Sequence, residues 1–165
     1  MPCMTGNKEQ NMKYMLSVNE LIGLNKFLCG SEEVEIRDYN ILENIIQSCS
    51  KLDDSDKYYT SMAAVILYSI LREHPFVYNN RETAILATCA TMLMNGCSIH
   101  ATDSELLAFA RRIELGELTR EEVRKWIFDH YMVHAFTVIE AEKHPDESHV
   151  ESLLGHLTHK LWAVP

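Results

Sequence analysis

Positive charge is scarce in this sequence. It has 15 lysine and arginine residues against 24 aspartate and glutamate residues, which gives a net charge of -9 at neutral pH. No cluster of lysine or arginine interrupts the acidic background. Because nucleic-acid backbones and anionic membrane surfaces both attract a basic face, this balance argues against nucleic acid and against a membrane as partners. An acidic protein of this kind more plausibly meets a basic protein partner.

Long hydrophobic runs are also missing. No stretch approaches the roughly 18 apolar residues of a membrane-spanning helix, and residues 1–13 lack the apolar core of a secretory signal. The cysteines are odd in number and widely spaced, and most lie in apolar helical patterns: Cys3, Cys29, Cys49, Cys89 and Cys97. This spacing favours reduced thiols over a disulfide framework. We therefore expect a cytoplasmic protein.

Strand signals are absent too, whereas helical periodicity is frequent. No strand ladder and no internal repeat can be recognised, although residues 31–36 are expected to be extended. The first helix begins at Ser17 and stops at Gly30, with an apolar pattern of Leu21, Leu24, Phe27 and Leu28. Further helices are predicted at 38–50, 57–74, 80–96, 105–116, 121–142 and 146–161. The sequence predicts an all-α fold.

Three of these helices carry a start signal. Asp38 is a predicted cap, and the pairs Thr102 with Glu105 and Thr119 with Glu122 form capping boxes. The helices at 57–74 and 80–96 are apolar almost all the way round, so both are expected at the centre of the fold.

The two ends of the chain differ from its middle. Residues 1–15 are polar and are predicted to be disordered, whereas residues 16–130 form the main domain. Residues 131–165 are predicted to add a helical extension packed on that domain or forming a dimer face. The pairs His130 with His134 and His156 with His159 have a spacing that suits a metal ion, but solvated or core histidines are the better interpretation, and no metal site is predicted.

The loop between the two apolar helices, HPFVYNNRETA (74–84), carries the chemistry of interest. It places the start of a helix, which attracts anions, beside the donors of Asn79 and Asn80 and the cation of Arg81. His74 could act as a general base, with Pro75 holding its backbone extended. This combination favours phosphoryl or nucleotidyl transfer. The alternative is a helix–helix turn in which His74 caps carbonyl groups.

The stretch LYSILREHPFVYNNRETAILATCATMLMNG (67–96) resembles the signature of the Fic/Doc family, whose Doc branch reads His-Pro-Phe-x-Asp-Gly/Ala-Asn-Lys-Arg-Thr-Ala. The flanking segments EIRDYNILENII, ATDSEL and GELTREEVRKWI extend the resemblance over residues 16–130. It implies a Fic-fold helical bundle that uses ATP or another nucleotide with Mg²⁺ to modify proteins. The Doc branch implies a toxin kinase acting on a translation elongation factor and bound by an antitoxin. The wider Fic branch implies transfer of AMP to a protein hydroxyl.

Several residues match the family's motif position by position. His74 matches the catalytic base and Phe76 the aromatic anchor of the loop. Asn80 matches the asparagine that holds phosphate, and Arg81 keeps the positive charge of the family's lysine. Thr83 and Ala84 match the start of the helix. The resemblance therefore makes His74 the catalytic residue and assigns phosphate binding to Asn80, Arg81 and Thr83, to which the donor chemistry of the loop adds Asn79.

Other positions depart from the motif. Tyr78 replaces the acidic residue that holds magnesium, Asn79 replaces a small residue, and Glu82 replaces an arginine that binds phosphate. Ile85 stands where the AMP-transferring branch has a second arginine. A carboxylate about 5 Å from a phosphate charge is repelled by roughly 3 kcal/mol at an effective dielectric constant near 20. The lost attraction of the arginine is of similar size. Even half of the sum of the two effects weakens nucleotide binding on the order of a hundredfold.

Two functions remain open from the sequence. The first is a Doc-like enzyme with an altered site, in which Arg81 replaces the missing arginine and Glu82 holds the metal, or in which the ligand is less anionic. The second is a catalytically silent Fic-fold module that binds a protein partner or an antitoxin. The matching residues favour the first, and Tyr78, Asn79 and Glu82 favour the second.

Overall fold

A computed structural model of the chain describes residues 14–53 and 58–133. In chain order these form α1 (Val18–Cys29), α2 (Tyr39–Ser50), α3 (Tyr58–Glu73), α4 (Asn80–Met94), β1 (Cys97–Ile99), α5 (Asp103–Glu114), α6 (Arg120–His130) and β2 (Tyr131–Val133). Helices dominate this part of the chain, so the all-α prediction is confirmed. Within the described ranges, no helix has the length and apolar character needed to cross a membrane.

The predicted start signals are confirmed. Asp38 caps α2 by accepting a hydrogen bond from the Asn40 N–H at 2.9 Å. Complete capping boxes begin α5, with Thr102 and Glu105, and α6, with Thr119 and Glu122. These side chains satisfy N–H groups that a helix leaves without partners in its first turn. Helix limits in this protein therefore depend largely on local hydrogen bonds.

The capping glutamates should make the stability depend on acid pH. Hydrogen bonds from the backbone of Thr102 and Thr119 lower the pKa of Glu105 and Glu122 below the ordinary value of 4.5. Because the folded pKa is the lower one, each carboxylate stabilises the fold fully above about pH 4.5, and this contribution is lost as the pH falls through the folded pKa. The variant with Glu105→Gln and Glu122→Gln, which lacks the titrating charges, should be less stable than the parent at pH 7. The difference should shrink in urea unfolding as the pH falls below about 4.5.

An exposed glutamate of α2 provides the control. Glu43→Gln removes a charge from a helix surface without removing a cap. It should change the free energy of unfolding at pH 7 by no more than about 0.5 kcal/mol, as for most surface substitutions. An equal loss in the Glu43 variant and the capping variant would contradict the assignment to the caps.

The core centres on α3, as the apolar pattern predicts. All residues from Met62 to Leu67 are at most 3 % exposed, and Ile70 and Leu71 are completely buried. Helix α4 packs along α3, and α3 also contacts α2, α5 and α6. Small residues on α4, including Ala84, Ala87 and Ala90, are fully buried. The α3–α4 pair thus fixes residues 74–79 beside the buried centre of the fold.

One helix prediction is wrong at its C-terminal end. Helix α6 ends at His130, and residues 131–133, predicted as helix, form β2, which pairs antiparallel with β1. The pairing is long-range: the His100 N–H donates to the His130 carbonyl at 2.6 Å, and the Tyr131 ring packs 6.0 Å from that of Tyr59. A short apolar run suits either a helix or a strand, and here the partner strand decided the outcome.

Helix α1 also departs from its predicted apolar pattern. Phe27 is 48 % exposed, whereas Asn25 is buried among the leucines. Tyr14, assigned from the sequence to the N-terminal segment, has its backbone N–H and carbonyl bound by the side chain of Asn95 at 3.0 and 2.9 Å. The predicted helix at 146–161, the remaining tail histidines and most of the N-terminal segment lie outside the described residues.

Candidate functional site

The loop between α3 and α4 is paired with the segment that precedes α2. The Arg37 N–H donates to the Pro75 carbonyl at 2.7 Å, and the Val77 N–H donates to the Glu35 carbonyl at 2.9 Å. Ile36 and Phe76 face each other in an antiparallel bridge. Phe76 is completely buried, as expected for the aromatic anchor of the loop, and the bridge confirms the extended backbone predicted near residue 36.

Left-handed residues stand at both ends of this loop. His74 has φ 52° and Asn79 has φ 57°, and within the described ranges they are the only residues other than glycine with positive φ. The extended backbone predicted for His74 is therefore wrong. Its N–H still bonds the Ile70 carbonyl at 3.1 Å, so the chain stays helical to this point and then reverses to bring Pro75 to Arg37. Such residues cost on the order of 1–3 kcal/mol and persist where surrounding contacts fix them.

The His74 ring is partly buried beside the loop. Neither a hydrogen bond nor an ion pair engages its nitrogens within the part of the chain that the structure describes. The N–H that meets the end of α3 is that of the backbone, so the alternative role of a ring that caps carbonyl groups is not observed there. An imidazole in this setting is available to accept a proton.

Asn80 closes the loop on itself. Its Oδ1 accepts from the Phe76 N–H at 3.0 Å, and its Nδ2 donates to the Phe76 carbonyl at 2.8 Å. The side-chain amide thus acts as a short strand partner for Phe76. In this arrangement Asn80 shapes the loop, and its amide is already bonded where the sequence predicts phosphate binding.

Arg81 is paired across to the end of α5. Its Nε and one terminal nitrogen donate to the two carboxylate oxygens of Glu114 at 3.0 and 2.5 Å. The Arg81 side chain is 42 % exposed and that of Glu114 is 18 % exposed. The hydrogen bond to Glu114 raises the pKa of the Arg81 guanidinium above its ordinary value. Glu82, the next residue, is exposed. The cation of the loop is therefore present and held in a two-point ion pair.

Thr83 faces the core instead of the loop surface. It is fully buried, and its hydroxyl oxygen accepts from Asn25 Nδ2 at 2.9 Å. The same Nδ2 donates to the Tyr78 carbonyl at 2.9 Å, so one buried amide ties α1 to both the loop and the first turn of α4. Sequence reasoning missed Asn25. The available signal was a polar residue between Leu24 and Leu28 on the apolar face of α1.

The two remaining loop positions have different surroundings. Asn79 donates from Nδ2 to the Cys29 sulfur at 3.3 Å, and its left-handed backbone agrees with the tolerance expected of asparagine. The Tyr78 side chain is 59 % exposed. Among the described residues, no group of three or more histidine, cysteine, aspartate or glutamate side chains is arranged to hold a metal ion. A magnesium ion at the position of Tyr78 would therefore depend on the nucleotide's own oxygens and on Glu82.

A separate cavity of about 220 Å³ lies between α5 and α6. Its main feature is a column of three rings, in which Trp126 stacks at 4.0 Å on Phe109 and at 4.0 Å on His130. The other lining residues are Glu105, Ala108 and Arg112. None of these residues lies within the stretch of residues 74–84, so the cavity is not part of the candidate site.

A comparison with known protein families finds no family model that matches this sequence, and no curated protein matches it either. The resemblance of residues 67–96 to the Fic/Doc signature therefore remains a prediction.

Proposed function

We propose that the protein transfers a phosphate-containing group from a nucleotide to a protein hydroxyl, as a Doc-like modifier with an altered site. The observation that carries this proposal is the available His74 imidazole on a loop that also holds the start of α4 and Arg81. His74 accepts the proton of the target hydroxyl while the oxygen of that hydroxyl forms a bond to phosphorus. Pyrophosphate leaves if the α-phosphorus is attacked, and a nucleoside diphosphate leaves if the terminal phosphorus is attacked.

The parts of the site divide this work in a simple way. The free N–H groups and the dipole of α4, together with Arg81, stabilise negative charge on the phosphate. Mg²⁺ brought by ATP would neutralise the remaining phosphate charge, with Glu82 as its protein ligand. The target is a cytoplasmic protein, with a translation elongation factor as the candidate from the resemblance. An antitoxin and a second copy of the chain are proposed partners.

A labelling assay tests the reaction. The purified chain is incubated with a cell lysate, Mg²⁺ and ATP labelled either on the α-phosphate or on the terminal phosphate. Label from the terminal phosphate on a protein is expected for a Doc-type kinase, and label from the α-phosphate for nucleotidyl transfer. No protein labelling from either nucleotide, at millimolar concentration and at several pH values, would contradict the proposal.

A second function, that of a silent module that binds a protein partner or an antitoxin, has its own support. Asn80 is bonded to Phe76, Arg81 to Glu114 and Thr83 to Asn25. These bonds stabilise a loop geometry without needing a nucleotide. Under this proposal the loop keeps its shape as a binding surface after losing its chemistry.

Restoring the family's residues separates the two proposals. The variant Tyr78→Asp, Asn79→Gly, Glu82→Arg regains an acidic metal ligand, a small residue and a cation. If the module is silent, this variant should bind Mg²⁺-ATP more tightly than the parent in calorimetry, by up to about a hundredfold, because like-charge repulsion is replaced by attraction. The conservative variant Tyr78→Phe, Asn79→Ala, Glu82→Gln adds neither a metal ligand nor a cation and serves as the control. Equal affinity of the restored variant and the parent would count against the silent module.

A further inference from the structure

The end of α5 brings one acidic residue to two arginines from other helices. The Glu114 carboxylate binds Arg81 of α4 through both oxygens. The Glu114 backbone carbonyl accepts from a terminal nitrogen of Arg72, near the end of α3, at 3.0 Å. Glu114 is thus the point where α3, α4 and α5 are joined beside the loop.

The carboxylate takes the part of Arg81 that a phosphate would use. A guanidinium binds planar or tetrahedral anions best through two parallel N–H groups, and Glu114 occupies the pair formed by Nε and one terminal nitrogen. A second anion on the remaining edge would lie next to the Glu114 charge. Whether an external anion uses the same two N–H groups or the remaining edge of the guanidinium, it competes with the Glu114 carboxylate for the positive charge of Arg81.

The carboxylate can leave Arg81 without releasing the end of α5. The bond from Arg72 goes to the backbone carbonyl of Glu114, so it does not depend on the side chain. Gly116 lets the Arg72 guanidinium approach closely, because a Cβ at residue 116 would lie 3.1 Å from its terminal nitrogen. A change of the Glu114 rotamer therefore opens Arg81 while α3 and α5 stay joined.

We propose that Glu114 is a built-in competitor of the anionic ligand of this loop, so that a phosphate group binds Arg81 only when the Glu114 carboxylate withdraws. This inference rests on the proposed function, because it takes the phosphate of that function as the ligand. It identifies a regulatory contact that does not belong to the loop sequence. Its consequence is that the charge of residue 114 sets the affinity of the loop for phosphate.

Calorimetric titration with inorganic pyrophosphate at low ionic strength tests this proposal. Glu114→Gln should bind pyrophosphate about tenfold more tightly than the parent, a coupling of ordinary size for two mutually exclusive contacts. Glu117→Gln is the matched control: it lies three residues further on, pairs with Arg112 at 3.2 Å and loses the same charge. It should bind like the parent. Adding Arg81→Gln to Glu114→Gln should abolish the gain.

The parent protein gives an independent readout in case the variant folds poorly. In NMR spectra, pyrophosphate should shift the Arg81 Nε–H signal and the Glu114 carboxyl carbon signal together, because the ion pair opens as the ligand binds. Binding that depends on Arg81 but is not strengthened by Glu114→Gln, or that leaves the Glu114 signal in place, would overturn the competition and leave the anion site standing. Absence of any Arg81-dependent binding in parent and variant would overturn both the competition and the proposed anion site.

Discussion

His74→Asn is expected to reduce the rate of group transfer roughly 10²- to 10⁴-fold, the usual contribution of a general base. Asparagine is preferred to alanine for this test because residue 74 has a left-handed backbone, which asparagine tolerates better. The variant therefore removes the imidazole and leaves the loop close to its present shape. Initial rates of protein labelling at saturating ATP measure the effect, with thermal unfolding as the check on folding.

His100→Asn is the matched control for this prediction. His100 is exposed and follows β1, and its backbone N–H, which the substitution keeps, makes the bond to His130. The control variant should label protein at the parent rate. If His74→Asn retains more than about a tenth of the parent rate, His74 is not the base.

Phe76→Ala is expected to lower the free energy of unfolding by about 3–5 kcal/mol, the usual cost of removing a buried phenylalanine. Phe76 is completely buried, and its backbone is bonded on one side by Asn80 and bridged on the other to Ile36. The cavity left by the ring lies directly beneath the loop, so pyrophosphate binding should weaken together with stability. Urea unfolding followed by circular dichroism gives the free energy.

A phenylalanine that is not buried provides the control. Phe27 of α1 is 48 % exposed. Phe27→Ala should change the free energy of unfolding by no more than about 0.5 kcal/mol, as for most surface substitutions. Similar losses in the two phenylalanine variants would show that Phe76 is not the anchor of the loop.

The exposure of two substituted motif positions reduces their expected effect on phosphate binding. Glu82 and Tyr78 are both exposed, so solvent screens the repulsion between Glu82 and a bound phosphate more than the sequence alone suggests. Arg81, by contrast, retains the charge of the motif but is already paired with Glu114. The competition for Arg81 is therefore a second obstacle to anion binding, in addition to the substitution at residue 82.

Tertiary contacts show why the proposed phosphate ligands were only partly predictable. The left-handed backbone of Asn79 agrees with the conformational tolerance of asparagine, and the burial of Phe76 agrees with the aromatic anchor that the resemblance implies. The sequence cannot show that Arg81 meets Glu114, 33 residues away, or that Thr83 meets Asn25, 58 residues away. A side chain with several donors accepts whichever partner the fold brings near, and that partner is not encoded in its neighbours.

The sequence by itself determined which segments are helical and where α2, α5 and α6 begin, because caps such as Asp38 and Thr102 satisfy the first-turn N–H groups within a few residues of the chain. Only the tertiary structure decided that residues 131–133 form a strand, since a strand needs a partner to satisfy its backbone and β1 supplies it. The same distinction applies to the candidate site. Local sequence places His74 and Arg81 on one loop, and packing of α3, α4 and α5 leaves the first available and engages the second with Glu114.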